Sequence, residues 1–177
     1  AAQVEKVAAA KPDVVVVLTR DTVGPAVADL GAAGYSGDKL AFVGLSTTGP
    51  SELAGLSGAI ATQAGVDVDE LGDFTDRLLK VDPALTDFRF AAETYDAVVL
   101  IALGALQANS SHPTEIAAQL RKLSGGTGSG TPVDDFAAAA ELILSGELPD
   151  YDGPSGQIAF DTAGDPLGAI VRIYEYR

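Results

Sequence analysis

Apolar residues along this chain fall into blocks whose spacing alternates between two periods. In AAQVEKVAAA, Val4, Val7 and Ala8 share one helical face, and Lys11-Pro12-Asp13 ends the segment. Residues 14–18, VVVVL, form an unbroken and mostly β-branched run, which predicts a strand buried on both faces, the habit of parallel sheets. Residues 22–35 read as a helix stopped at Gly34, and residues 40–45, LAFVGL, as a second strand. The order helix, strand, helix, strand over the first 45 residues predicts a layered α/β fold that opens on a helix. GAIATQAGV at 58–66 adds a third short strand.

Helical spacing dominates the remainder. Leu71, Phe74, Leu78 and Val81 line one face of a helix over 70–81. The segment 88–109 is apolar nearly all round after Asp96, which predicts a helix buried between layers. A helix over 110–123 starts at Ser110 and His112, with Pro113 in its first turn and Glu115 behind it. SGGTGSGTP at 124–132 predicts a flexible connection, and 133–148 a last helix closed by Gly146. QIAF at 157–160 and GAIVRIYEY at 168–176 read as strands. DPALTD at 82–87 marks a change of composition and a candidate crossing between two lobes.

Composition narrows the function. With 47% hydrophobic residues, 6% aromatics and no Trp, Met or Cys, the core is built from Ala, Val, Leu and Ile. A formal net charge of −14 with 11 scattered basic residues argues against nucleic acid and anionic membrane as partners. The absence of Cys excludes disulfides and thiolate metal sites without fixing a compartment. The apolar run 97–108 is shorter than the roughly 20 residues of a membrane span. No charged-then-apolar leader stands at the start.

Catalytic and metal patterns fail on chemistry. GGTGSG at 125–130 has the spacing of a phosphate loop, but Thr131-Pro132 stands where Lys-Ser/Thr is needed, so no nucleotide cofactor is expected. Ser46, Ser57 and Ser155 each lack the last glycine of a nucleophile elbow, and His112 is the single histidine available as a base. Asp150, Asp152, Asp161 and Asp165 do not follow the calcium-loop spacing, so no metal is expected. Glu93 and Asp96 lie one turn apart, a conceivable carboxylate pair, but two solvated charges at a helix start explain them as well. Neither catalytic residues nor a cofactor are expected, and a two-lobed α/β protein without reactive groups suggests a binder of small ligands.

Two long motifs are more specific. FAAETYDAVVLIALGAL (90–106) followed by YDGPSGQIAFDTAGDPLGAIVRIYEY (151–176) resembles the C-terminal half of the type I periplasmic solute-binding proteins of ABC transporters, the branched-chain amino-acid receptor type. QVEKVAAAKPDVVVV and LGAAGYSGDKLAFVG match the second lobe of that family in order and spacing. The resemblance implies parallel-sheet, three-layer lobes of which only the C-terminal portions are present. Residues 1–85 would be part of lobe two, 86–160 the C-terminal part of lobe one, and 161–177 a hinge-proximal terminal strand.

The resemblance also implies extracytoplasmic binding of a small polar solute, an amino acid or related compound, delivered to an ABC permease without catalysis. A sensor domain of a signalling receptor and a doubly wound enzyme are the alternatives. Since family members are about twice this length, a second chain completing the truncated sheets is a possible partner. Ligands of α/β sheets sit beyond the carboxyl ends of strands, which points to Thr19 and Arg20 after the first strand and Ser46 and Thr47 after the second. Arg20 suits an anionic group better than the aromatic the family often carries there. In 150–166 the resemblance implies a turn, a strand and a turn, with Ile158 and Phe160 inward and the acidic residues capping turns in water.

Overall fold

The computed structural model describes residues 2–18, 23–43, 55–125 and 128–177. The chain is α/β and divides into two compact units, Ala1–Ala64 with Val171–Arg177, and Gly65–Ile170.

The first unit is a four-stranded sheet carrying two helices. In chain order its elements are α1 (Ala2–Ala10), β1 (Val15–Val17), α2 (Val23–Ala32), β2 (Leu40–Phe42), β3 (Ile60–Ala64) and the strand Val171–Glu175. β1, β2 and β3 pair in parallel and in that order, while 171–175 adds antiparallel to β3. One sheet face supplies the core: Val15, Leu40, Phe42, Ala59, Ala61 and Tyr176 pack with Val27, Leu30 and Tyr35, and Val4, Val7 and Ala8 of α1 lean on them. A Val, Leu or Phe side chain among them, once fully buried, contributes about 1.5–3 kcal/mol. α2 ends where the sequence says, because Gly34 takes φ +89 and closes a Schellman turn: Tyr35 N donates to Leu30 O and Gly34 N to Gly31 O.

The other sheet face is bare. Val16 is 56% exposed and Ile173 74%, and Val14, Val43, Ile60 and Val171 are exposed with them. The run 14–18 therefore supplies a strand, Val15–Val17, as expected, but it is not buried on both faces: within the first unit α1 and α2 both pack on the side of Val15 and Val17, while Val16 is exposed.

The second unit is helical, with a minor two-stranded sheet. It comprises α3 (Asp73–Val81), α4 (Ala91–Ala108), α5 (Pro113–Leu123), β4 (Thr131–Val133), α6 (Phe136–Ser145) and β5 (Pro149–Tyr151); the strand 171–175 of the first unit is β6. β4 and β5 pair in parallel. Val99, Leu100, Leu103, Leu123, Ala139 and Tyr151 form the core, flanked by Ile158 and Phe160, which point inward as expected. Gly104 lets α5 come close, since a Cβ there would stand 3.0 Å from Ile116 Cγ2. α6 is capped at both ends: Asp135 Oδ1 accepts from Ala137 N and Ala138 N, and Gly146 closes a second Schellman turn.

Three further expectations change. α4 is long and apolar enough to match a minimal membrane span, yet it is neither lipid-like nor sandwiched: Leu100 and Leu103 are in the core while Val98 and Ile101 are exposed. QIAF is not a strand, and only Phe160 bridges to Pro166, because Asp161 Oδ1 accepts from Ala163 N and Asp165 N and turns the chain back at once. The break at 82–87 lies inside the second unit, where Phe74 of α3 packs edge-on against Tyr95 of α4 at 5.3 Å between ring centroids.

Candidate functional site

Thr19, Arg20, Ser46 and Thr47 lie outside the described residues. The strand ends from which they issue are described. Val17 pairs with Phe42 in parallel register, and Val43 N donates to Val17 O at 3.2 Å. The chain thus leaves β1 and β2 at one sheet edge, side by side. β3 is parallel to both, so its carboxyl end, Ala64, reaches that same edge and pairs there with Val171. All three carboxyl ends of the parallel strands lie at that edge, the edge at which open α/β sheets carry ligands where the strand order reverses; β1, β2 and β3 themselves follow one another in sequence order without a reversal.

A second set of residues brings together the two motifs of the sequence. Asp96 on α4 is only 2% exposed. Its Oδ1 accepts from the Tyr151 hydroxyl at 2.7 Å, and its Oδ2 accepts from Ser155 N at 2.7 Å. Gly153 lies against this carboxylate so closely that a Cβ would overlap it and the Tyr151 hydroxyl. Burial pushes the Tyr151 hydroxyl far above its usual range, and the bond to Asp96 pushes it further, so it stays protonated and donates. The helix motif 90–106 and the turn motif 151–156 are thereby one structural unit, held by charge-assisted hydrogen bonds.

Glu93, one turn earlier, is half-buried and its Oε1 accepts from Val66 N at 2.9 Å, at the start of the second unit. Glu93 and Asp96 are therefore not two solvated charges. Each tethers backbone from a distant part of the chain: Glu93 holds Val66 N and Asp96 holds Ser155 N. Asp96 could have been suspected from sequence: a lone carboxylate facing the apolar side of a long helix needs buried donors.

The acidic residues of 150–166 divide into two kinds. Asp152 Oδ1 accepts from Ile158 N at 2.8 Å, and Asp161 caps its own turn, its carboxyl held low by the N–H groups of Asp165 and Ala163. Asp150 is half-buried, with its Oδ1 out of reach of solvent; burial, then the Asp152 charge, raises its pKa against the lowering effect of the Gly125 N–H. His112 serves as the cap position of α5, where its N–H donates to Ser110 Oγ at 3.0 Å and its side chain caps nothing.

No family model matches the chain, and no solved structure matches it. Among curated proteins, a chemotactic signal transduction system substrate-binding protein, BasB of Halobacterium salinarum, is 32% identical over 78 residues, which are 44% of this chain and 19% of that protein. The match thus spans less than a fifth of the relative's length. Together with an α/β architecture compatible with part of a periplasmic-binding-like fold, this similarity aligns the chain with proteins that bind substrates or ligands.

Proposed function

We propose that the chain is part of an extracytoplasmic solute-binding protein that captures a small polar molecule and releases it unchanged. The observation carrying this reading is the similarity to a substrate-binding protein. The shared edge of the carboxyl ends of β1, β2 and β3 supports it; Thr19 and Arg20 follow β1 in the sequence, and Ser46 and Thr47 follow β2. Arg20 would pair with an anionic group of the solute, and the hydroxyls of Thr19, Ser46 and Thr47 would complete its polar contacts. Closure of two hinged units over the solute would present the loaded form to a membrane partner.

The relative's role in chemotaxis favours a second reading of that partner: a signalling receptor in place of an ABC permease. Both share the same capture step.

A thermal-shift and calorimetric screen of amino acids and small carboxylates tests the capture step. Saturation at a hundredfold excess over Kd stabilises the folded state by about 2.7 kcal/mol. One chemical class is expected to raise Tm, to be recovered intact, and to lose most of its effect with Arg20→Ala. Conversion of the solute, or binding indifferent to both Arg20→Ala and Ser46→Ala, contradicts the reading.

A further inference from the structure

Charge is placed unevenly in the sheet of the first unit. Of the residues in its four strands, only Arg172 and Glu175 are charged. Glu175 is exposed and pairs with Ile60, at the start of β3 and on the bare face. Arg172 pairs with Gln63, next to Ala64 at the carboxyl end of β3. Side chains alternate along a strand, so Arg172 shares the packed face with Tyr174 and Tyr176, and Gln63 shares it with Ala61.

Register fixes the depth of this pair. Val17, Phe42, Ala61 and Tyr174 form one row across the sheet. Gln63 and Arg172 stand two residues beyond it, about 7 Å closer to the edge where β1, β2 and β3 end. Burial falls in step along β6: Tyr176 is in the core, and Tyr174 and Arg172 are half-buried. Gln63 Oε1 accepts from Arg172 Nη2 at 3.3 Å, which steadies one arm of the guanidinium from the opposite strand. Arginine brings to that rim a planar fork of donors that matches a pair of carboxylate oxygens. The chain carries 25 acidic residues against 11 basic ones, so its overall field repels anions, and a local cation is needed to hold one.

Resting on the capture reading above, we infer that Arg172, steadied by Gln63, is a ligand-binding residue that pairs with a carboxylate of the solute. Arg20 follows β1 in the sequence, and Arg172 belongs to β6, at the other side of the sheet. The class of solute that satisfies both guanidiniums is a small molecule with two carboxylates.

Calorimetric titration of the polypeptide encoded by the native gene, at fixed ionic strength, would compare succinate, glutarate and L-glutamate with succinamide, glutaramide and L-glutamine. At least one acid is expected to bind about tenfold or more tightly than its amide. Arg172→Gln should weaken that acid by about tenfold to a hundredfold and its amide hardly at all, without moving the unfolding midpoint of the solute-free protein by more than a few degrees. Gln63→Met should act in the same direction and less. Arg172→Lys, which keeps the charge and loses the fork, should weaken the acid and preserve its advantage over the amide; it carries the test if Arg172→Gln does not fold. Equal weakening of acid and amide makes Arg172 a structural residue and overturns the inference. An acid indifferent to the Arg172 substitutions, or binding by the amides alone, overturns it too, and each of these outcomes leaves the capture reading standing. Binding by none of these compounds also overturns it, and the capture reading then falls only if the wider screen of amino acids and small carboxylates is silent as well.

Discussion

The two units reach stability by different routes. The sheet unit buries apolar side chains on one face, through contacts that local spacing already implies: β-branched residues in strands, and Val4 and Val7 on a helix. The helical unit adds a buried carboxylate, Asp96, whose partners lie 55 and 59 residues away. The first route packs one sheet face, leaves the other exposed, and still presents a defined sheet. The second leaves no such margin, because a buried charge without its donors is costly.

Substitution at Asp96 should therefore produce the largest effect. Asp96→Ala strands the Tyr151 hydroxyl and Ser155 N–H, and the expected loss is about 3–5 kcal/mol in urea unfolding followed by circular dichroism. A loss below that of an ordinary surface substitution would remove the distinction between the units. In the sheet unit, Leu40→Ala should cost about 2–5 kcal/mol, whereas Val16→Thr on the bare face should stay within about 0.5 kcal/mol. Equal costs at the two positions would mean both faces are packed. Loss of the α6 cap in Asp135→Ala is expected to cost about 1 kcal/mol in the same assay.

The smallest effect is one of pH. Arg89 beside Asp87, first through its side chain and then through its N–H, holds the carboxyl down at about 2, against an ordinary 3.8. A depressed carboxylate stabilises the fold above its unfolded pKa, and that contribution disappears as pH falls through about 2. Because the pair is exposed, a few tenths of a kcal/mol are expected. Asp150 acts in the opposite sense: its raised pKa makes the fold less stable as pH rises through the carboxylate range. Asp150→Asn should flatten that second limb of a stability–pH curve, and Arg89→Ala the first.

Most helices were legible in the sequence because capping and period agree. Gly34 and Gly146 stop α2 and α6, and Pro113 opens α5. The parallel pairing of β1 and β2 also followed from the alternation of elements over the first 45 residues. What escaped depends on distant partners. β4 and β5 read Thr-Pro-Val and Pro-Asp-Tyr, poor strand formers that pair where Gly130 admits the close approach of Pro149. The run VVVVL announces a strand but not how many layers cover it, since that is decided by the direction of crossovers. For α4, composition implied burial all round, yet only one side is occupied within its unit. The proposed ligand residues were placed by the rule of strand carboxyl ends, and they lie outside the described residues.

Hydrogen-exchange mass spectrometry, with and without the solute that raises Tm, tests the capture account most directly. Protection concentrated in peptides covering 18–22 and 43–54, with the solute recovered intact, is the predicted result. Protection confined to the helical unit, or a chemically altered solute, would contradict it.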